Sequence, residues 1–264
     1  MKSCSILISN YNSFEAIQLC VESIRKYTKY PHKIVVLNDH CINKVDDIYL
    51  RDCQKKGWIE LYESSEQLTH GGVLNKLMNE ICDTELAALL DCDVQIKATG
   101  WLDDLIECVV DPKVLAVCEI AGVRISSYGY YVPGFYRLCF SLLNMEAYRD
   151  GMQVDWRHEW ETREKEPYKN MFRCLDDIPR PRNFNDNSVD VDPGSKLWVK
   201  VNYDNPKGYG VVSLPEKVNS KYYHYGHISM ISIPNPTHSK SVAQVRTERM
   251  GKIGEELRRL RCQP

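Results

Sequence analysis

Leu86-Ala87-Ala88-Leu89-Leu90-Asp91-Cys92-Asp93-Val94 is the stretch on which the reading of this chain turns. Five consecutive apolar residues run directly into two carboxylates separated by one residue. A short unbroken apolar run is the signature of a strand buried on both faces, as at the centre of a parallel sheet. Ligands of open α/β sheets sit beyond the carboxyl ends of the strands, which is where Asp91 and Asp93 fall. Side chains two residues apart along a strand point the same way, so both carboxylates can face one hard cation such as Mg²⁺ or Mn²⁺. Taken alone, an Asp-x-Asp after a strand also fits an ordinary acidic turn, so the surrounding sequence has to decide.

Working outward, apolar runs alternate with amphipathic ones. Ile6-Leu7-Ile8 reads as a strand ending in Asn10-Tyr11-Asn12-Ser13, and Phe14 to Tyr27 follows with helical spacing. Ile34 to Leu37 is a second strand ending in Asn38-Asp39-His40; Val45 to Gly57 reads as a helix and Ile59 to Tyr62 as a short strand. Gly71-Gly72 precedes a helical stripe, Val73, Leu74, Leu77, Met78 and Ile81. Beyond the central strand, Trp101 to Val110 predicts a helix and Val114 to Val123 a strand. Alternation of this kind predicts a mostly parallel sheet with right-handed crossovers. Several successive strands therefore deliver polar residues to one edge.

The second half is less regular. Ser126 to Tyr136 is rich in Tyr and Gly, Leu138 to Met145 reads as a strand leading into a helix, and Asp155 to Asp177 has weak periodicity. Pro179 to Ser188 reads as a loop. Val189-Asp190-Val191-Asp192-Pro193-Gly194 opens a helix over Ser195 to Tyr203, Gly208 to Pro215 is a strand, and Tyr222 to Ser232 carries His224 and His227. After Pro234 and Pro236 comes a last helix with Val242, Val245, Met250, Ile253, Leu257 and Leu260 on one face and six basic residues from Arg246 to Arg261 elsewhere. Such a helix can dock on an anionic membrane surface or pack on its own domain, and three Glu dilute its charge in favour of packing.

Composition sets limits. The 264 residues carry Lys+Arg 34 against Asp+Glu 36, a formal net charge of -2, which argues against a surface built wholly for nucleic acid. No apolar run approaches a membrane span. The 11 cysteines are odd in number and form no Cys-x-x-Cys pair, which predicts buried thiols and a cytoplasmic location rather than a disulfide framework or structural zinc.

The ordered set resembles the family 2 glycosyltransferases of the GT-A fold. The matching pieces are Ile6 to Asn12, Ile34 to Asp39, Gly71-Gly72-x-x-Asn75-Lys76, Leu89 to Asp93, Asp190-x-Asp192-x-Gly194-x-Lys196-Leu197 and His224-Tyr225-Gly226. The resemblance implies an α/β fold with a mostly parallel, Rossmann-like sheet flanked by helices, a smaller irregular acceptor side and a C-terminal helix. It places a catalytic domain over 1–233, with a nucleotide-binding half at about 1–118 and an acceptor half at about 119–233, and a basic helix over 234–264.

It implies that Ser9, Tyr11, Asn12 and Asp39 hold the nucleotide base, and that Gly71, Gly72, Asn75 and Lys76 approach ribose and phosphates, with His70 nearby. Asp91 would meet the ribose and the metal, with Asp93 and either His224 or His227 completing the site for Mn²⁺ or Mg²⁺. Asp190 would be the base of an inverting transfer, with Asp192 as the alternative carboxylate. A helix N-cap is the other reading of Asp192. The implied partners are a nucleotide-diphospho sugar, first a UDP-sugar, and an acceptor hydroxyl on a glycan or lipid-linked sugar, or on a modified nucleic-acid base. A retaining transferase and a nucleotidyltransferase are the rival activities. The latter calls for a Gly-, Arg- and Lys-bearing loop after the first strand, where this chain has Asn10-Tyr11-Asn12-Ser13.

Overall fold

The computed structural model of the chain describes residues 1–40, 44–125, 130–175, 188–226 and 240–262. The first part follows the alternation read from the sequence: β1 (Cys4–Asn10), α1 (Phe14–Tyr27), β2 (Lys33–Asn38), α2 (Lys44–Lys55), β3 (Glu60–Glu63) and α3 (His70–Lys76), which runs on as a π-helical turn through Leu77–Ile81. Then come β4 (Leu86–Asp91), β5 (Val94–Ile96), α4 (Trp101–Cys108), β6 (Val114–Ala121), β7 (Arg124–Ile125), β8 (Tyr131–Val132), β9 (Phe135–Asn144) and α5 (Met145–Ala147). The remainder holds β10 (Glu159–Thr162), α6 (Tyr168–Met171), β11 (Ser188–Val191), α7 (Pro193–Tyr203), β12 (Gly210–Ser213), α8 (Glu216–Asn219), β13 (Tyr222–His224) and α9 (Lys240–Cys262).

The main sheet has seven strands in the order β12-β6-β9-β4-β1-β2-β3. Pairings of β1 with β2 and β4, of β2 with β3 and of β6 with β12 are parallel, and β9 alone runs against both of its neighbours. Both faces are covered. Ile6 and Ile8 point into a cluster with Ile17, Val21 and Ile24 of α1, whereas Leu7 between them joins Val73, Leu77 and Met78 beside α3. That period of two, with every residue apolar, is why the strands read as unbroken hydrophobic runs. The parallel register sets Ser9 of β1 opposite Asp91 and Asn10 opposite Asn38, so the polar ends of β1, β2 and β4 line up along one edge.

Two smaller sheets complete the structure: a four-stranded one in the order β10-β11-β8-β7, and the antiparallel pair β13-β5. The weakly periodic segment after Asp155 holds the short β10 and α6. α3 ties the second half to the first. A Cβ on Gly71 would lie 2.1 Å from the carbonyl oxygen of Trp156, so only glycine permits this approach. Trp156 Nε1 donates to Tyr148 Oη (2.7 Å), and Tyr148 Oη donates to Asn79 Oδ1 (2.8 Å).

The described part of the last helix packs on the domain. Ile253, Leu257 and Leu260 are buried against Ala16 and Leu19 of α1 and against Tyr225. Arg261 holds Glu22 (Nη2 to Oε1, 2.6 Å) and Gln18. Burying side chains of this size contributes about 1.5–3 kcal/mol each, so this stretch of the apolar stripe is used within the molecule. Among the described residues, no helix is long and apolar enough to cross a membrane.

Candidate functional site: a cleft and a cluster of metal ligands at the sheet edge

A cavity of about 380 Å³ opens beyond the carboxyl ends of β1, β2 and β4. Its walls include Ser9, Tyr11, Asp39, His70 and Asp91, five residues marked by the sequence, together with Gln67, Leu68 and Thr69, which were not. Asn10 and Asn38 build the floor rather than bind: Asn10 Nδ2 donates to Asn38 Oδ1 (2.9 Å), and Ser13 Oγ donates to Asn10 Oδ1 (2.6 Å). Asn12 adopts φ +46°, the left-handed turn that Asn tolerates, and reverses the chain between β1 and α1.

Asp39 is buried, and its Oδ1 accepts the backbone N–H of Leu68 at 2.7 Å. Burial pushes its carboxyl up, against the pull of that hydrogen bond. Asp39 thus anchors the loop that forms one wall of the cleft. Thr69 caps α3 by accepting from Gly72 N–H at 3.1 Å.

Of the donor residues expected further along α3, Gly72 donates its N–H to the cleft-wall Thr69, whereas Gly71 and Asn75 meet Trp156. Gly71, Gly72, Asn75 and Lys76 do not line the cavity. Gly71 is pressed on the Trp156 carbonyl, and Asn75 Oδ1 accepts from Asn79 Nδ2 (2.9 Å) and from the N–H of Trp156 (3.4 Å). Gly71 and Asn75 of the Gly-Gly-x-x-Asn pattern thus make a contact between the two halves.

Three strand pairings assemble the acidic cluster. Asp91 ends β4, and Asp93 follows in the turn to β5, buried at 5% exposure. β13 pairs antiparallel with β5 and sets His224 opposite Val94, while Tyr225 N–H donates to the Asp93 carbonyl at 3.1 Å. His224 Nε2 consequently lies 3.1 Å from Asp93 Oδ1 and 3.5 Å from Asp91 Oδ2. Asp91, His224 and Cys139 each offer a ligand atom within 4.8 Å of the others. His227, the other candidate histidine, lies outside the described residues.

The residues present fit a divalent cation. His224 Nε2 is shut off from solvent and makes no well-formed hydrogen bond, although two carboxylates stand within ion-pair distance of it. A buried nitrogen left so is costly, and a shared cation would satisfy it together with the carboxylates. Without metal, burial opposes protonation of the ring. Contacts with Asp91, Asp93 and Cys139 override it and raise His224 to about 12.

The second acidic motif separates into two roles. Asp192 caps α7, its Oδ1 accepting Ser195 N–H at 2.8 Å, as the helix N-cap reading expects. Burial raises its carboxyl above the usual range, against the hydrogen bonds from Ser195. Asp190, two residues earlier, is partly open and lies 2.6 Å from His158 Nε2. Directly across the β10–β11 ladder from Asp190 is Trp160, 57% exposed, with Tyr130 edge-on to it at 4.9 Å. Gly194 rests on the Tyr136 carbonyl, where a Cβ would lie 2.1 Å away. Tyr136 and Cys139 are three residues apart on β9, or roughly 10 Å at the rise of a strand. β9 therefore links the acidic motif to the candidate metal ligands.

Comparison with known proteins agrees with this architecture. Residues 5–172 match the family Glycosyl transferase family 2. Among solved structures, a mannosyltransferase from Pyrobaculum calidifontis, in complex with GDP-Man and Mn²⁺, superposes with a TM-score of 0.52 at 16% identity over 81% of this chain and 55% of that one. S. aureus TarS gives 0.50 at 13% identity over 94% of this chain and 43% of that one. The chain thus spans about half the length of the structures it resembles, and at such identities the likeness shows the fold. No curated protein gives a sequence match. With the family match covering more than half of its length, and with the α/β fold of the GT-A glycosyltransferases, the chain belongs to glycosyl transferase family 2.

Proposed function

We propose that this protein transfers a sugar from a nucleotide-diphospho sugar, first a UDP-sugar, to an acceptor hydroxyl with inversion at the anomeric carbon. The observation that carries the reading is the convergence of His224 Nε2 with the carboxylates of Asp93 and of Asp91, the latter of which also lines the cleft. In the cleft, Tyr11 offers a ring to the base and Asp39 an acceptor for a base N–H. Asp91, which is both a cleft wall and a member of the ligand cluster, places the diphosphate beside the cation. Mn²⁺ held there would offset the charge that builds on the departing nucleoside diphosphate.

Asp190 takes the proton of the acceptor hydroxyl as its oxygen attacks, and His158 at 2.6 Å holds that carboxylate in place. The exposed face of Trp160, directly across the strand pair, suits a sugar ring, which favours a glycan acceptor.

A thermal-shift screen of UDP-, GDP-, dTDP- and CMP-sugars with and without Mn²⁺ tests the reading. A ligand at 100 times its dissociation constant stabilises by about 2.7 kcal/mol, a shift of several degrees in a chain of this size. The expected result is a Mn²⁺-dependent shift with one nucleotide class, lost in Asp93→Ala. No shift from any of the four would overturn the proposal.

A further inference from the structure

The family pattern accounts for two carboxylates and a histidine at the metal position. It does not account for the third member of the closest ligand cluster, Cys139. We infer that Cys139 is a sulfur ligand of this site and that it biases the site away from Mg²⁺ towards borderline and soft cations. The inference rests on the metal-site reading above and adds a ligand to it.

Cys139 reaches the site through strand register. β4 and β9 pair antiparallel with Leu89 opposite Ser141 and Leu90 opposite Phe140, and Asp91 and Cys139 are the next residues of the two strands, with their ligand atoms within 4.8 Å. Directly opposed residues put their side chains on the same face, with Cβ atoms about 4.5–5.5 Å apart. The geometry there is enforced from two sides. The β6–β9 register shifts between Val117 and Glu119, where β9 bulges, and Ser141 Oγ donates back to the Leu138 carbonyl at 3.3 Å. Phe140, the next residue, stacks flat on Tyr222 of β13 with ring centroids 3.8 Å apart. Tyr222 is two residues before His224, so the stack that seats β13 on β9 also brings the imidazole to the thiol. Ligand atoms within 4.8 Å of one another can share one ion at ordinary metal–ligand distances.

The other thiols of the described chain differ in setting. Cys4, Cys20, Cys92 and Cys118 are buried, and burial pushes each of them up, towards the inert thiol. Cys139 is half-buried and faces a carboxylate and an imidazole. A thiolate, an imidazole and carboxylates form a mixed S, N, O donor set. Thiolate prefers Zn²⁺, Co²⁺ and Cd²⁺, whereas Mg²⁺ prefers oxygen alone. On coordination the Cys139 thiol gives its proton to solvent, and sulfur donates an electron pair to the cation; no oxidant or reductant is involved.

Co²⁺ is the probe, because a cobalt–thiolate bond produces a ligand-to-metal charge-transfer band in the near ultraviolet. The wild-type protein should show that band on titration with Co²⁺. Cys139→Ser should bind Co²⁺ without it, and its preference for Cd²⁺ over Mn²⁺ should fall by about tenfold or more, the scale of a lost ligand interaction. Cys139→Ala, with its melting temperature recorded beside that of Cys139→Ser, separates loss of sulfur from loss of fold. If wild type binds Mn²⁺ and Co²⁺ without the band, or if the band persists in both variants, the cysteine is not a ligand although the metal site stands. If wild type binds no divalent cation, both readings fall.

Discussion

The two halves of this molecule bring functional groups together by different routes. In the first half, β1, β2 and β4 are parallel, and each places whatever follows its apolar run at the same sheet edge. Asn10, Asp39 and Asp91 need no mutual knowledge of register to meet there, since the layer architecture does it. In the second half, Cys139, His224 and Asp190 arrive on antiparallel strands, and each position depends on a pairing between segments far apart in sequence. A one-residue slip would turn each of those side chains to the opposite face. The first arrangement is robust and readable; the second is specific and hidden.

The largest effects should come from the site where the two routes meet. Asp93→Ala removes a buried carboxylate beside His224. Calorimetric Mn²⁺ titration should show affinity reduced by at least ~100-fold, with transfer reduced in step. Retained Mn²⁺ binding would place the metal elsewhere and break the convergence.

Asp190→Asn sharpens the comparison, because it alters only the second half. Turnover should drop by about 10²–10⁴, the usual contribution of a general base, while donor binding with Mn²⁺ stays as in wild type. A loss of donor binding instead would mean that Asp190 belongs to the donor side.

The pH dependence tests the metal cluster without mutation. The folded value of His224 is raised to about 12, above its ordinary 6.5. In the metal-free protein its stabilising contribution is therefore complete below about pH 6.5 and is lost progressively as pH rises towards the folded value. Mn²⁺ competes with that proton, so Mn²⁺ affinity should rise by up to about tenfold per pH unit between pH 6 and 8. Melting curves with and without Mn²⁺ should diverge as pH rises. Parallel curves would show that His224 does not meet the cation.

The smallest expected effect is at Asp192. Its carboxylate caps α7, so Asp192→Asn should be nearly neutral and Asp192→Ala should cost about 1 kcal/mol in chemical denaturation, with little change in turnover. A fall in turnover like that of Asp190→Asn would keep Asp192 as a second catalytic candidate.

The same contrast explains what could be read in advance. The strand–helix alternation and the sheet edge were legible because local periodicity carries them; Ser9, Tyr11 and Asp39, which line the cavity there, were marked by the ordered motifs of the family resemblance. The double meaning of Asp192 was legible too, since Asp before Pro-Gly-Ser is a cap signal. Gly71 and Asn75 were assigned to the cleft because a Gly-Gly turn before a helix suits phosphate; their true neighbour, Trp156, is 81 residues from Asn75 and nothing local announces it. His158 lies in the weakly periodic stretch after Asp155, where nothing local singles it out. Its partnership with Asp190 follows from β10 lying antiparallel to β11. Cys139 was one of the thiols expected to be buried, and its approach to Asp91 and His224 comes from strands far apart in sequence.

The reversed strand β9 also bears on how the chain is made. It lies between β4 and β6, both of which leave the ribosome before it. When synthesis has reached Ala121, the sheet has its flanking strands and no centre, with two unpaired edges facing an unfilled slot. Such edges invite association with other chains. A nucleotide-binding fragment cut near residue 118 would therefore be an aggregation-prone piece rather than a working module. The cleft at the ends of β1, β2 and β4 is drawn early in the sequence, but the sheet that carries it is joined to β6 only after Asn144 has been added.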